Sequence, residues 1–262
     1  MTRLPVVPKR ELGQHFLVDE NILAVIGRLA DLEPADVVLE IGPGLGVLTG
    51  FLAERVRHVH AVELDRSLEP YLRERLGARA NVALVFGDAL AHPIRELDPA
   101  PLKLVANLPY QIATPLVAES LDGLPSVELW CVMVQREVAD RFFASPGTKS
   151  YGAVSVLVQL TAERTGFHPV ARTCFSPPPN VESALVAFRR RRSWGGNLGP
   201  LRKLVHAAFA HRRKTLANSL ELSGLAGRDR AVAALAHIGR PPGVRAEAHA
   251  PEEFRALLEA LT

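Results

Sequence analysis

Five β-prone residues, Val37-Val38-Leu39-Glu40-Ile41, run without a break into Gly42-Pro43-Gly44-Leu45-Gly46, and Val47 to Val56 can then form a helix. No other feature restricts the chain as much. A strand passed through a glycine turn into a helix opens a βαβ unit, and such units build a parallel sheet with helices on it. The glycines also let a ligand come close to the backbone, while the helix start offers free N–H groups.

A second strand, His58–Glu63, ends in a carboxylate about twenty positions beyond the turn, where it can accept two hydrogen bonds from ribose hydroxyls. Asn81 to Asp88 reads as a third strand, and Asp88 can accept from an adenine amino group. Together these residues point to an adenosine-type ligand and leave NAD and S-adenosylmethionine both open.

The apolar run Leu102–Ala106 separates these ligands. It ends in Asn107-Leu108-Pro109-Tyr110, where the proline cannot extend a ladder, so Asn107 is expected at a carboxyl edge of the sheet. A dehydrogenase has no need of this strand end, but an enzyme that methylates a ring-attached amino group does. The lone pair of such a nitrogen is delocalised into the ring. The Asn107 side-chain oxygen and the Leu108 carbonyl, aimed at its two hydrogens, would favour the pyramidal nitrogen that attacks a methyl group, with no titrating base. Tyr110 offers a face on which the base can stack.

Around this core, residues 9–17 read as an ordered loop containing Gly13. A helix is expected over 19–31, with Asp19 as its cap and Ile22, Val25, Ile26 and Leu29 on one face. Further helices are expected over 113–121 and 136–143, a strand buried on both faces over 127–134, and a loop over 145–150. Two strands near 154–165 and 182–189 bracket Pro177-Pro178-Pro179, which stiffens a surface loop. Residues 189–197 read as a linker. Beyond it the pattern is helical: Leu201, Leu204, Val205 and Ala208 share a face, followed by Arg212-Arg213-Lys214 and the stretches 228–238 and 252–261.

Charge divides along the same line. From Arg189 onward the chain holds 14 Lys/Arg against 6 Asp/Glu, whereas residues 1–188 hold 17 against 22. A basic tail on an acidic body suggests a polyanionic partner, nucleic acid first and an acidic membrane second, and Arg212, Arg213 and Lys214 could hold RNA phosphates. The two cysteines, Cys131 and Cys174, form no metal-ligand pattern and fit a reducing compartment. No stretch reaches the roughly 20 apolar residues of a membrane span, and the start lacks a signal-peptide core. A cytoplasmic, monomeric protein is expected.

The sequence resembles the KsgA family of small-subunit rRNA adenine dimethyltransferases over nearly its whole length. The resemblance is carried by Gly13-Gln-His-Phe-Leu17, Glu40-Ile-Gly-Pro-Gly-Leu-Gly46, Val62-Glu-Leu-Asp65, Gly87-Asp-Ala89, Asn107-Leu-Pro-Tyr110 and Gln135-Arg-Glu-Val138. It continues through Tyr151-Gly152, Phe175-Ser-Pro-Pro-Pro-Asn-Val-Glu-Ser183 and Arg212-Arg-Lys-Thr-Leu-Ala-Asn-Ser-Leu220. It implies S-adenosylmethionine as methyl donor, contacted by His15, Leu17, Gly42, Gly44, Glu63, Asp88 and Asn107, and no metal. Position 15 holds His where the family most often has Asn. The resemblance further implies catalysis by Asn107, Leu108, Pro109 and Tyr110, with Phe175 facing Tyr110 across the target base.

The expected architecture is therefore α/β: a Rossmann-like class I methyltransferase domain with helices on both faces over 1–190, and a small all-α, rRNA-contacting domain over 191–262. The expected activity is dimethylation of adenine amino groups in a small-subunit rRNA hairpin loop within a pre-ribosomal particle. The alternatives are a large-subunit rRNA adenine methyltransferase of the antibiotic-resistance type, a non-catalytic ribosome-assembly factor and, more distantly, an NAD-dependent dehydrogenase.

Overall fold

The computed structural model describes residues 5–91, 94–191 and 198–262. The chain forms two compact units, one of residues up to Ala139 together with Arg164–Arg190, the other of Asp140–Glu163 together with Arg191–Thr262.

In chain order the strands are β1 (Phe16–Leu17), β2 (Val37–Ile41), β3 (His58–Glu63), β4 (Val82–Phe86), β5 (Lys103–Asn107), β6 (Leu129–Gln135), β7 (Ala162–Val170), β8 (Phe175–Ser176) and β9 (Ser183–Arg190). The helices are α1 (Glu20–Leu29), α2 (Val47–Ala53), α3 (Glu69–Leu76), α4 (Ala113–Gly123), α5 (Arg136–Phe142), α6 (Ala153–Thr161), α7 (Leu198–Phe209), α8 (Leu216–Leu222), α9 (Arg228–His237) and α10 (Pro251–Leu261).

The first unit is built on a seven-stranded sheet of order β4-β3-β2-β5-β6-β9-β7. Strands β2 to β6 are parallel and β9 runs antiparallel to β6. The chain winds outward from β2 to β4 and then crosses to β5 on the other side of β2. This reversal opens a crevice at the carboxyl ends of β2 and β5, the place where such sheets take ligands. Those ends are Ile41 and Asn107.

All five residues of β2 are buried, which is why its sequence is nearly continuously apolar rather than alternating. Asp19 starts α1 by accepting from the Asn21 backbone N–H at 2.9 Å. The helix then buries Ile22, Leu23 and Ile26 in a cluster with Leu48 and Leu52 of α2 and with Val38, Val59 and Val105 of the sheet. Leu52 has no exposed surface, so its truncation to Ala would cost roughly 2–5 kcal/mol.

Two expectations are corrected here. The strand expected near 154–165 is a helix, α6, up to Thr161, and the strand begins only at Ala162. Val154, Val156 and Val158 alternate as in a strand, yet seven of the nine α6 residues are buried, so burial all round hides the helical period. Ser155 decides the matter locally, since its hydroxyl accepts from the Gly152 N–H and donates to the Arg141 carbonyl. Arg189 and Arg190, expected in the linker, belong to β9; residues 192–197 of that linker lie outside the described residues. The Arg190 guanidinium donates to the carbonyls of Leu121, Leu124 and Val127, tying the end of α4 to the sheet, and it stacks over Trp130 at 4.9 Å.

In the second unit α6 packs with α7 and α10, and α8 packs with α7 and α9. Tyr151, Phe209 and Phe254 form its aromatic centre, and the Tyr151 hydroxyl donates to the His249 carbonyl at 2.8 Å. Residues 140–163 thus belong with the C-terminal helices, which a single break after residue 190 does not anticipate. No helix among the described residues is long and apolar enough to cross a membrane.

Candidate functional site

The crevice is a cavity within the first unit. Its wall includes His15, Leu17, Gly42, Gly44, Glu63, Asp88, Asn107, Leu108, Pro109 and Tyr110. Every cofactor candidate from the sequence is therefore brought together there, along with the Asn-Leu-Pro-Tyr segment.

The glycine turn forms the floor. Gly42 and Gly44 have φ of +76° and +56°, which residues with a side chain rarely adopt. A Cβ on Gly44 would also stand 2.9 Å from the Phe16 ring, and one on Gly42 would stand 3.3 Å from Pro109. The turn is clamped to β3, because the Gly44 N–H donates to Glu63 Oε2 at 3.0 Å while Glu63 Oε1 accepts from the Asp65 N–H at 2.8 Å. Each Glu63 oxygen keeps a lone pair beyond these bonds. Burial pushes the Glu63 carboxyl upward, and the backbone N–H groups oppose this.

Glu40, on the same wall, was not expected as a site residue. It is 1% exposed and its Oε2 has no hydrogen-bond partner. Burial pushes its carboxyl up to about 8, and the neighbouring Glu63 charge adds to the effect against the hydroxyl of Thr49. A buried acid of this kind is suited to a cationic group of a ligand.

The loop 9–17 covers one side of the cavity. It is anchored by Asp65, which receives Lys9 Nζ at 2.6 Å on Oδ1 and Gln14 Nε2 at 2.9 Å on Oδ2. Burial opposes ionisation of Asp65, but the Lys9 ammonium and the hydrogen bonds from Ser67 and Gln14 outweigh it and hold the carboxyl down at about 2. Sequence reasoning missed this anchor, since nothing local to Asp65 points to partners more than fifty positions away.

At the end of β5 the Asn107 side-chain nitrogen donates to the His15 carbonyl at 3.1 Å, and the Leu108 N–H donates to Met133 at 3.0 Å. Tyr110 is half-buried. Its hydroxyl meets Ser183 Oγ at 2.5 Å, and the His15 ring stacks against it with centroids 5.7 Å apart. His15 Nδ1 in turn donates to the Pro177 carbonyl at 2.8 Å.

Phe175 is not brought to the cavity wall, contrary to expectation. The β1–β8 ladder pairs it with Leu17, and its ring, 3% exposed, lies in the core with Leu17 and Cys174. Asp88 is exposed at the mouth and uses Oδ1 to accept from the Leu90 N–H. Arg212, Arg213 and Lys214 belong to the second unit, where they form an exposed turn between α7 and α8 instead of helix; the Thr215 cap starts α8 only after them. Among the described residues no group of three or more His, Cys, Asp or Glu is placed to hold a metal.

Known proteins match this chain over most of its length. Among its relatives are proteins named ribosomal RNA small subunit methyltransferase A. The one from Rubrobacter xylanophilus is 48% identical over 97% of this chain and 95% of its own, and the one from Streptomyces coelicolor is 44% identical over 98% and 92%. Among solved structures, a dimethyladenosine transferase from Plasmodium falciparum aligns with a TM-score of 0.78 at 25% identity, covering 93% of this chain and 96% of its own. The 23S rRNA methyltransferase ErmE aligns with a TM-score of 0.66 at 33% identity, covering 94% and 99%. The family model described as ribosomal RNA adenine dimethylase matches residues 8–254, and the chain belongs to that family.

Proposed function

We propose that this chain transfers methyl groups from S-adenosylmethionine to the amino groups of adenines in small-subunit rRNA, two to each base, on a pre-ribosomal particle in the cytoplasm, acting as a monomer. The observation that carries this reading is the convergence of Gly42, Gly44, Glu63, Asp88 and the Asn107–Tyr110 segment on one cavity.

The wall fits the proposed donor. A side chain on Gly44 would collide with Phe16, so the turn stays bare and its backbone lines the cavity. The free lone pairs of Glu63 suit ribose hydroxyls, Asp88 suits the adenine amino group, and the unpartnered Glu40 oxygen suits the ammonium of the methionyl end. His15, Leu17 and Asn107 complete the wall.

When bound, S-adenosylmethionine supplies an activated methyl group on a sulfonium. The chain supplies orientation and charge complementarity. Because the Asn107 nitrogen is spent on the His15 carbonyl, its oxygen is the end left for the target amino group. In the first transfer that oxygen and the Leu108 carbonyl accept the two amino hydrogens, and in the second one of them accepts the single hydrogen left. Each time, the N–CH3 bond forms as the donor's S–CH3 bond breaks, the positive charge developing on nitrogen is stabilised, and its proton is released to solvent. Pro109 ends the strand so that both acceptors clear the sheet. Tyr110 stacks on the base, worth roughly 1–3 kcal/mol. Arg212, Arg213 and Lys214 hold rRNA phosphates from the basic second unit, which we read as the RNA-contacting domain beside a methyltransferase domain formed by the first.

The test is methyl transfer to isolated small and large ribosomal particles lacking the marks, with the rRNA read by mass spectrometry. Dimethyladenosine in the small particle is expected. Incorporation only into large particles would replace this reading with the antibiotic-resistance type, for which the likeness to ErmE speaks. Particle binding with no transfer would leave an assembly factor.

A further inference from the structure

With Phe175 in the core, the segment Phe175–Ser183 needs another reason to be beside the site. We propose that it frames Tyr110: Ser183 and His15 are positioning residues that hold the Tyr110 ring as a fixed platform for the target base, a role that rests on the function proposed above.

Three contacts close a ring. Ser183 Oγ takes the Tyr110 hydroxyl at 2.5 Å from a fully buried position at the start of β9. The His15 imidazole lies against the Tyr110 ring, 5.7 Å between centroids and 27° between planes. His15 is itself fixed, since a proline carbonyl only accepts and Nδ1 must therefore carry the proton it shares with Pro177. Pro177 and Ser183 thus grip Tyr110 from both ends of one short segment, the first through His15 and the second directly.

With centroids 5.7 Å apart, inside the range of about 4.5–7 Å for an aromatic pair in contact, the two rings already pack on each other and no base enters between them. His15 accordingly backs the ring and leaves the base to the other face. A tyrosine tied at its hydroxyl and backed on one face presents the second face without searching rotamers, so ordering is complete before the base arrives. The His15 backbone carbonyl simultaneously orients Asn107, so one residue aligns both the acceptor and the platform. An Asn at position 15 would keep the carbonyl and lose the ring.

The test combines ring dynamics with kinetics. Carbon-13 relaxation on ring-labelled tyrosine, with Tyr110 resolved from the other two tyrosines, should show a rigid ring in the wild type and a loosened one in Ser183→Ala and His15→Asn. In methyl transfer to the small particle, Ser183→Ala and Tyr110→Phe should each lower kcat about tenfold, the double variant should lose no more than either, and Ser183→Thr should recover most of the loss. S-adenosylmethionine affinity should stay within about twofold in the Ser183 variants, whose site lies off the cavity wall. A mobile Tyr110 ring in the wild type, an unchanged kcat in Ser183→Ala, or losses that multiply in the double variant would each overturn the frame. If the wild type methylates neither particle while Ser183→Ala still frees a rigid ring, the frame stands and the functional reading fails.

Discussion

The Asn107 side-chain nitrogen lies 3.1 Å from the His15 carbonyl oxygen, a partner that can only accept, and this fixes which end of the amide is offered to a substrate. Asn107→Asp would set a carboxylate against that carbonyl and remove the orienting bond. The expected result is a loss of roughly 10²-fold or more in kcat, about 3 kcal/mol, as for removal of one preorganised oxyanion-hole donor. Asn107→Ala should lose about as much, because the oxygen disappears with the nitrogen. Single-turnover methyl transfer measures both; a wild-type rate in either would dismiss the acceptor role.

Glu40 should make binding of the proposed donor depend on pH. With its carboxyl pushed up to about 8, the group is protonated in the free protein at neutral pH and must lose that proton to meet an ammonium. S-adenosylmethionine affinity should therefore weaken as pH falls from 8.5 to 6.5, by up to about tenfold per unit. Calorimetry in buffers of different ionisation enthalpy should show proton release. Glu40→Gln should abolish that release and flatten the profile. Methylthioadenosine, which has no ammonium, should bind without either effect.

How far these features can be read from the sequence depends on how local their causes are. The glycine turn, Glu63, Asp88 and Asn107 declare themselves because each sits at or just past the end of a short β-prone run. The α6 helix does not, because burial on all sides removes the polar face that would reveal its period. Glu40 is hidden inside its own strand, where a buried acid looks like an interruption of an apolar run. The pairing of Lys9 and Gln14 with Asp65, and of Tyr110 with Ser183, joins positions 51 or more apart and is fixed only by the sheet order. Phe175 shows the converse: a family motif names the residue, but a two-residue ladder with Leu17 decides where its ring goes.

Asp65 should control both stability and the covering loop. Its carboxyl, 3% exposed and held at about 2 against an ordinary 3.8, contributes about 2 kcal/mol above pH 3.8 and loses it as pH falls toward 2. Asp65→Asn should lower stability at pH 7 by that amount and show less acid sensitivity between pH 4 and 2.5, read from urea midpoints. The variant should also bind S-adenosylmethionine more weakly, since Lys9 and Gln14 lose the anchor that keeps loop 9–17 on the cavity. Equal midpoints at pH 7 would refute the anchor.

His249 should make the stability of the second unit depend on pH. Its ring is 1% exposed and neither nitrogen has a hydrogen-bond partner; burial lowers its pKa, Arg240 reinforcing this and Glu253 opposing it. The unfolded chain therefore takes up a proton more readily below about pH 6.5, so stability should decline as pH drops through that value. His249→Leu should hold its melting temperature better than the wild type between pH 7.5 and 5.5. A parallel decline in both proteins would show that the imidazole is not responsible.

The exposed turn at Arg212–Lys214 separates phosphate binding from chemistry. Arg212 is partly engaged, donating to the Lys149 carbonyl at 3.2 Å, which leaves Arg213 and Lys214 as the cleaner probes. If each neutralises one phosphate, Arg213→Ala and Lys214→Ala should each reduce the slope of log affinity against log salt by about one for the small particle. Binding should weaken without a change in which adenines are modified, since phosphate contacts carry no base information. Affinity for S-adenosylmethionine should be unchanged, because its proposed cavity lies wholly within the first unit. A salt slope equal to that of the wild type in both variants would remove this turn from the RNA interface.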